Sequence, residues 1–226
     1  MRQQLKFTRR LLRDACSEIE RGLYLPFRRM IHASIFHHGR SGHVPKPGEV
    51  IWIDPRSISG HMRPEGWLRL KRKTGFDGGA LVGGDWDDRL TSPVSFTSRE
   101  PFQSCNDHWV RGRPWNETAI YQKYVSRLQN GPPCRFASLD ELWSRYQELY
   151  DIFHEAKQKG SLSTRRKDLI KVSIARDGRL IWGPDGRHRI CIAICAGLNQ
   201  IPASVGFIHI EALETFAALR FSATSG

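Results

Sequence analysis

The spacing of hydrophobic and polar positions changes from one stretch of the chain to the next, and each change predicts an element. Between 138 and 159, Leu139, Leu142, Trp143, Tyr146, Leu149, Tyr150, Phe153 and Ala156 recur three or four residues apart. That is the spacing of an α-helix. Ser138 with Glu141 three residues on forms a capping-box pattern, and Gly160 stops the run. The stretch 169–175 is rich in β-branched residues and predicts a strand. Asp177-Gly178 is a hairpin turn signal, and 180–183 is the return strand. A basic turn, Asp185-Gly186-Arg187-His188-Arg189, then opens an apolar helix over 188–196. Gly197 ends that helix, and 202–208 is a last strand.

Upstream the pattern is less regular. Residues 49–54 predict a strand that stops at Pro55. Residues 61–84 mix Lys and Arg with glycines at 75, 78, 79, 83 and 84 and show no period, which predicts a loop or irregular insertion. Residues 106–131 predict helix, with a start signal at Pro114 and Asn116-Glu117-Thr118 and a stop at Gly131-Pro132-Pro133. In the first 43 residues Leu5, Leu12, Cys16, Ile19 and Leu23 mark one helical face, with Arg9, Arg10, Arg13 and Arg21 on the others. Together these elements predict an α+β fold. A small mixed sheet is covered by the helices at 138–159 and 188–196. The chain divides into a basic helical arm, 1–43, and a domain, 44–226, that carries an insertion at 61–137.

Composition narrows the function classes. The net charge is +12, and the arm holds nine Lys and Arg against three Asp and Glu, a net +6 that is half of it. Such a balance suits phosphorylated or polyanionic partners, nucleic acid among them, or else a generally basic surface. Five scattered cysteines without a Cys-x-x-Cys pair argue against a disulfide framework and a zinc ribbon. They favour a reducing compartment, so a cytoplasmic location is expected. No apolar run is long enough for a transmembrane segment, and the basic N-terminus lacks the apolar core of a secretory signal.

Two stretches carry candidate chemistry. At 186–189 a glycine and three basic side chains meet a helix start, where free N–H groups and a partial positive charge already favour anions. Gly186, Arg187, His188 and Arg189 are therefore candidate phosphate ligands. In the other stretch, Gly83-Gly84-Asp85-Trp86-Asp87-Asp88, three carboxylates lie within four residues. They can hold a divalent cation or orient a hydroxyl, or they form a solvated acidic turn that pairs with arginines.

The order strand, Asp-Gly turn, strand, Asp-Gly-x-His-Arg, apolar helix, Gly-Leu, Ile-Pro strand resembles the ParB/sulfiredoxin superfamily over residues 138–210. Arg187 stands where sulfiredoxins carry their cysteine, so the resemblance does not extend to their thiol chemistry. The turn is most similar to that of the branch that phosphorylates free serine. The resemblance implies a nucleotide-binding protein, a phosphotransferase using ATP or ADP with Mg²⁺ on a small hydroxylated substrate. Gly186, Arg187, His188 and Arg189 would bind the phosphates. Asp185 and His188 would be the catalytic candidates there, while Asp85, Asp87 and Glu117 are candidates by their chemistry alone, with no counterpart in the resemblance. No protein metal cage is implied. The superfamily also implies an alternative, a nucleic-acid-binding ParB-like protein or nuclease working through the basic arm and the basic connector 163–167.

Overall fold

The fold is read from a computed structural model that describes residues 45–46, 48–93, 95–131, 134–165 and 168–222. The expected arm, 1–43, lies outside the described residues, as do Arg166 and Lys167 of the basic connector. In chain order the strands are β1 (Val50–Ile53), β2 (Ile58–Met62), β3 (Ala80–Val82), β4 (Thr91–Ser92), β5 (Ile170–Ile174), β6 (Leu180–Trp182) and β7 (Ile201–His209). The helices are α1 (Pro64–Thr74), α2 (Trp86–Arg89), α3 (Glu100–Trp109), α4 (Ala119–Asn130), α5 (Leu139–Lys159), α6 (Arg187–Cys195) and α7 (Leu213–Ser222).

All seven strands belong to one mixed sheet, in the order β1-β7-β5-β6-β2-β4. The nine residues of β7 make it the spine. Its first half pairs antiparallel with β1, and its second half pairs parallel with β3. The parallel partner β5 spans both halves from Ala203 to Ile208, so β1 and β3 share the other edge. The hairpin β5–β6 turns at Asp177-Gly178 as expected, with Gly178 at φ 82° and its N–H bonded to Ala175 O.

The sheet is covered on both faces. On one, α6 packs against β5 with α3 and α5 beside it. Ile190, Cys191, Ile192 and Ala193 are completely buried there, as a helix that is apolar all round must be. On the other, Trp67 of α1 lies 4.8 Å from Phe207, over Gly183 and Gly206. A Cβ at either glycine would come within 2.9 Å of the indole.

Three expectations change. Residues 61–84 are not irregular: they complete β2 and form α1 and β3. Only Gly66, Trp67 and Leu70 of α1 are buried, a stripe too narrow to give a period among its Arg and Lys residues. The helix expected over 106–131 is two helices, because Gly112 (φ 74°) and Pro114 interrupt it; α4 begins after Thr118, where the start signal lay. The sheet is also larger than the four strands expected, since β2, β3 and β4 join it.

Candidate functional site

The approach to α6 is fixed by hydrogen bonds and by one glycine. Trp182 Nε1 donates to Asp185 O at 2.6 Å, closing the turn after β6. Gly186 takes φ 88° and caps the helix, while Asp185 stays exposed and makes no capping bond. The sequence assigns Gly186 to backbone approach toward phosphate. The structure adds a packing reason, because a Cβ there would lie 2.4 Å from Ile170 Cγ2. The amides of Arg187 and His188 begin the helix and have no acceptor within it.

This helix start opens into a cavity of about 510 Å³. Its walls are Leu149, Ile152, Leu169 and Ile192, and its polar lining is Arg135, Arg145, Asp168 and the turn from Asp185 to Arg189. Four arginines and a histidine thus face two carboxylates. One carboxylate is engaged: Asp168 Oδ1 lies 3.1 Å from Arg189 Nη2. Two of the buried nitrogens without a hydrogen-bond partner are the Nε atoms of Arg145 and Arg187. Arg145 also pairs through Nη1 with Glu148 Oε2 at 2.7 Å, but buried donors are normally satisfied, so the two unpartnered Nε atoms beside the cavity favour an anion there.

The local field has a measurable consequence at His188. Burial first, then Arg187, Arg145 and Arg135, push its pKa down to about 3, so the imidazole is neutral near pH 7. It can donate one N–H and accept at the other nitrogen, but it adds no charge. Burial also lowers the pKa of Arg189, with Asp168 working against it.

The sequence-predicted residues divide. Asp185, Gly186, Arg187, His188 and Arg189 all line the cavity; Asp85 and Asp87 do not. Asp87 is fully buried, and its carboxylate accepts from Arg176 N, Nε and Nη2 at 3.0, 3.0 and 2.7 Å. Arg176 is in the turn at the far end of the β5–β6 hairpin, with both strands between it and residues 184–189. Burial opposes ionisation of Asp87, but the Arg176 bonds outweigh it and hold the pKa at about 2. Asp85 pairs with Arg89 at 2.5 Å and lines a separate cavity of about 320 Å³. The acidic stretch is paired to arginines, but Asp87 is buried where that reading of the sequence expects a solvated turn.

Sequence reasoning missed Arg135, Arg145, Asp168 and Trp182. Arg145 left a signal: Arg145, Leu149 and Ile152 stand at i, i+4 and i+7 on α5 and all face the cavity. Arg135, in the loop after Pro132-Pro133, left none. Behind the site, Cys105 and Cys191 are buried in the core. Burial, and then the hydrogen bond to Cys191, raise the Cys105 thiol pKa, and burial pushes Cys195 up to about 12. These two thiols stay protonated near neutral pH and make poor nucleophiles.

The donor set suits phosphate better than metal. Among the described residues, no group of three His, Cys, Asp or Glu side chains is arranged to hold a metal ion. Among the described residues Asp185 has no ion pair at the cavity, so a Mg²⁺ there would depend on phosphate oxygens for its other ligands. Among the described residues no helix is long and apolar enough to cross a membrane. Comparison with known proteins returned no match among protein-family models, curated proteins or solved structures.

Proposed function

We propose that the protein binds a nucleotide, ATP or ADP, by its phosphates in this cavity and transfers a phosphoryl group to a small hydroxylated substrate. The observation that carries the reading is the pair of buried, unpartnered guanidinium nitrogens on Arg145 and Arg187, in a cavity at the start of α6. The resemblance of the Asp185–Arg189 turn to that of small-molecule kinases supports the same reaction class.

Phosphoryl transfer is mainly positioning and charge neutralisation, and each residue has a part in that. Arg135, Arg145 and Arg187 neutralise the phosphates, and the first amides of α6 donate to them. Arg189, held by Asp168, keeps the turn in place. Neutral His188 donates a hydrogen bond without adding charge. The substrate oxygen bonds to the transferred phosphorus, and the bond from that phosphorus to the bridging oxygen of the leaving nucleotide breaks. The hydroxyl proton passes to the Asp185 carboxylate. A bound Mg²⁺ would add charge neutralisation, with Asp185 its one protein carboxylate. The acidic residues at 85 and 87 are left out, since Asp87 is committed to Arg176 and neither faces the cavity.

Calorimetric titration with ATP and with ADP, with and without Mg²⁺, tests the reading. Arg145→Ala is expected to weaken binding about tenfold or more, the value of a charge-assisted hydrogen bond. Absence of affinity for either nucleotide overturns the proposal. The nucleic-acid reading rests on the arm at 1–43, outside the described residues, and on the connector 163–167, of which residues 166 and 167 also lie outside them.

A further inference from the structure

Trp182 lines the cavity and also carries a second group of cations. His61 of β2 lies against its ring, with centroids 4.4 Å apart. The Arg99 guanidinium is 5.6 Å from the ring centroid, a placement that holds a guanidinium in a fixed orientation. Arg63 follows at the end of β2. Arg187 joins the two groups. Burial lowers the pKa of Arg99, and the charge of Arg187 lowers it further. Burial, then Arg99, Arg63 and Arg187, bring His61 to about 4, so it is neutral near pH 7.

Among the described residues no ion pair joins Arg63 or Arg99 to a carboxylate. The carboxylate adjacent to Arg99, on Glu100, turns instead to Lys123 at 3.0 Å. Besides Arg187, two guanidinium groups without a paired carboxylate, Arg63 and Arg99, therefore act on the imidazole that lies against Trp182, and that neutral imidazole adds a donor. The hydroxyls of Ser95, Thr97 and Ser98 stand on the exposed loop that leads to Arg99. With Arg187 given to the nucleotide phosphates, Arg63 and Arg99 leave two positive charges, which a single carboxylate would only half neutralise and a phosphate dianion balances.

We propose that His61, Arg63 and Arg99 form a second anion subsite that takes a phosphate carried by the acceptor, so that the acceptor is a hydroxylated molecule already bearing a phosphate. This rests on the nucleotide reading of the cavity.

Titration of the full chain with inorganic phosphate tests it. Two ions per chain are expected. Arg99→Ala and Arg63→Ala each weaken one of them about tenfold and leave the other unchanged; Arg135→Ala does the reverse, and Arg99→Lys recovers part of the loss. Arg63 is exposed, so its variant folds whatever becomes of Arg99→Ala. With ADP bound, glycerol 3-phosphate is expected to displace the ion at Arg99, and glycerol is not. One ion, sensitive to Arg135→Ala alone, overturns the second subsite and leaves the nucleotide reading intact. Failure of glycerol 3-phosphate to displace the ion overturns the acceptor assignment. An ion sensitive to Arg99 with none sensitive to Arg135 overturns the nucleotide reading, and the acceptor assignment falls with it.

Discussion

Gly186 holds two structural demands at one position. Its φ of 88° lies in the left-handed region, and Ile170 fills the direction a side chain would take. Gly186→Ala therefore adds the left-handed cost of about 1–2 kcal/mol to an overpacking cost of about 1–3 kcal/mol. A loss of about 3 kcal/mol is expected, which lowers the melting temperature by roughly 10 °C for a chain of this size. An unchanged melting temperature would show that β5 yields easily and that the turn is not pinned by packing. Asp87 makes a different residue-scale prediction. Its folded pKa of about 2 lies below the ordinary 3.8, so it binds protons less readily folded than unfolded. The stabilisation it gives is complete above about pH 4 and is lost as pH falls from there toward 2. Asp87→Asn is expected to lower the urea midpoint near neutrality. The gap to the natural protein should then close on acidification toward pH 2, while nucleotide affinity stays the same. A variant with normal stability but no nucleotide affinity would return Asp87 to the active site.

At the scale of elements, α5 repeats its sequence pattern most directly. Ser138 Oγ accepts from Glu141 N at 3.1 Å, the Glu141 carboxylate accepts from Ala137 N at 2.6 Å, and Gly160 closes the helix at φ 67°. Ser138→Ala is expected to cost about 1 kcal/mol, read as a shift in the denaturant midpoint without a change in its slope. A shift below a few tenths would mean that Glu141 alone supports the helix start. The same helix shows how far a sequence reveals a site. Its buried stripe was legible because five core residues repeat a helical period. Arg145, at the edge of that stripe, could have been suspected, but nothing local said that α6 would begin opposite it. That juxtaposition comes from a sheet whose spine pairs with residues far away in sequence. The turn 185–189 was legible because glycine and charge act locally. The acidic stretch was ambiguous for the opposite reason: its partner, Arg176, is 89 residues distant from Asp87. Helix α1 was missed because Gly183 and Gly206, not a wide apolar face of its own, make room for Trp67.

For the whole molecule, charge is the property that reaches furthest, and it acts in two ways. The cavity concentrates four arginines at one place, where fixed donors would hold a phosphate at short range. The remaining excess is distributed: the arm at 1–43 alone accounts for +6 of the net +12. Distributed charge attracts any polyanion and is screened by salt. Nucleotide binding in the cavity and association with nucleic acid should therefore respond to different substitutions. In a single-stranded oligonucleotide titration, Arg9→Gln, Arg10→Gln and Arg13→Gln together are expected to flatten the salt dependence. Three phosphate contacts correspond to a slope change of about 2 in log affinity against log salt for single strands. ATP affinity should be unaffected, because among the described residues the cavity lining lies between residues 135 and 192. Conversely, Arg145→Ala should weaken ATP and leave the oligonucleotide slope as it was. If the arm variant lost ATP and oligonucleotide together, the two anions would share one surface, and the cavity would be one end of a nucleic-acid site. Independent losses would mean that the arm attracts polyanions while the start of α6 selects the phosphate that is used.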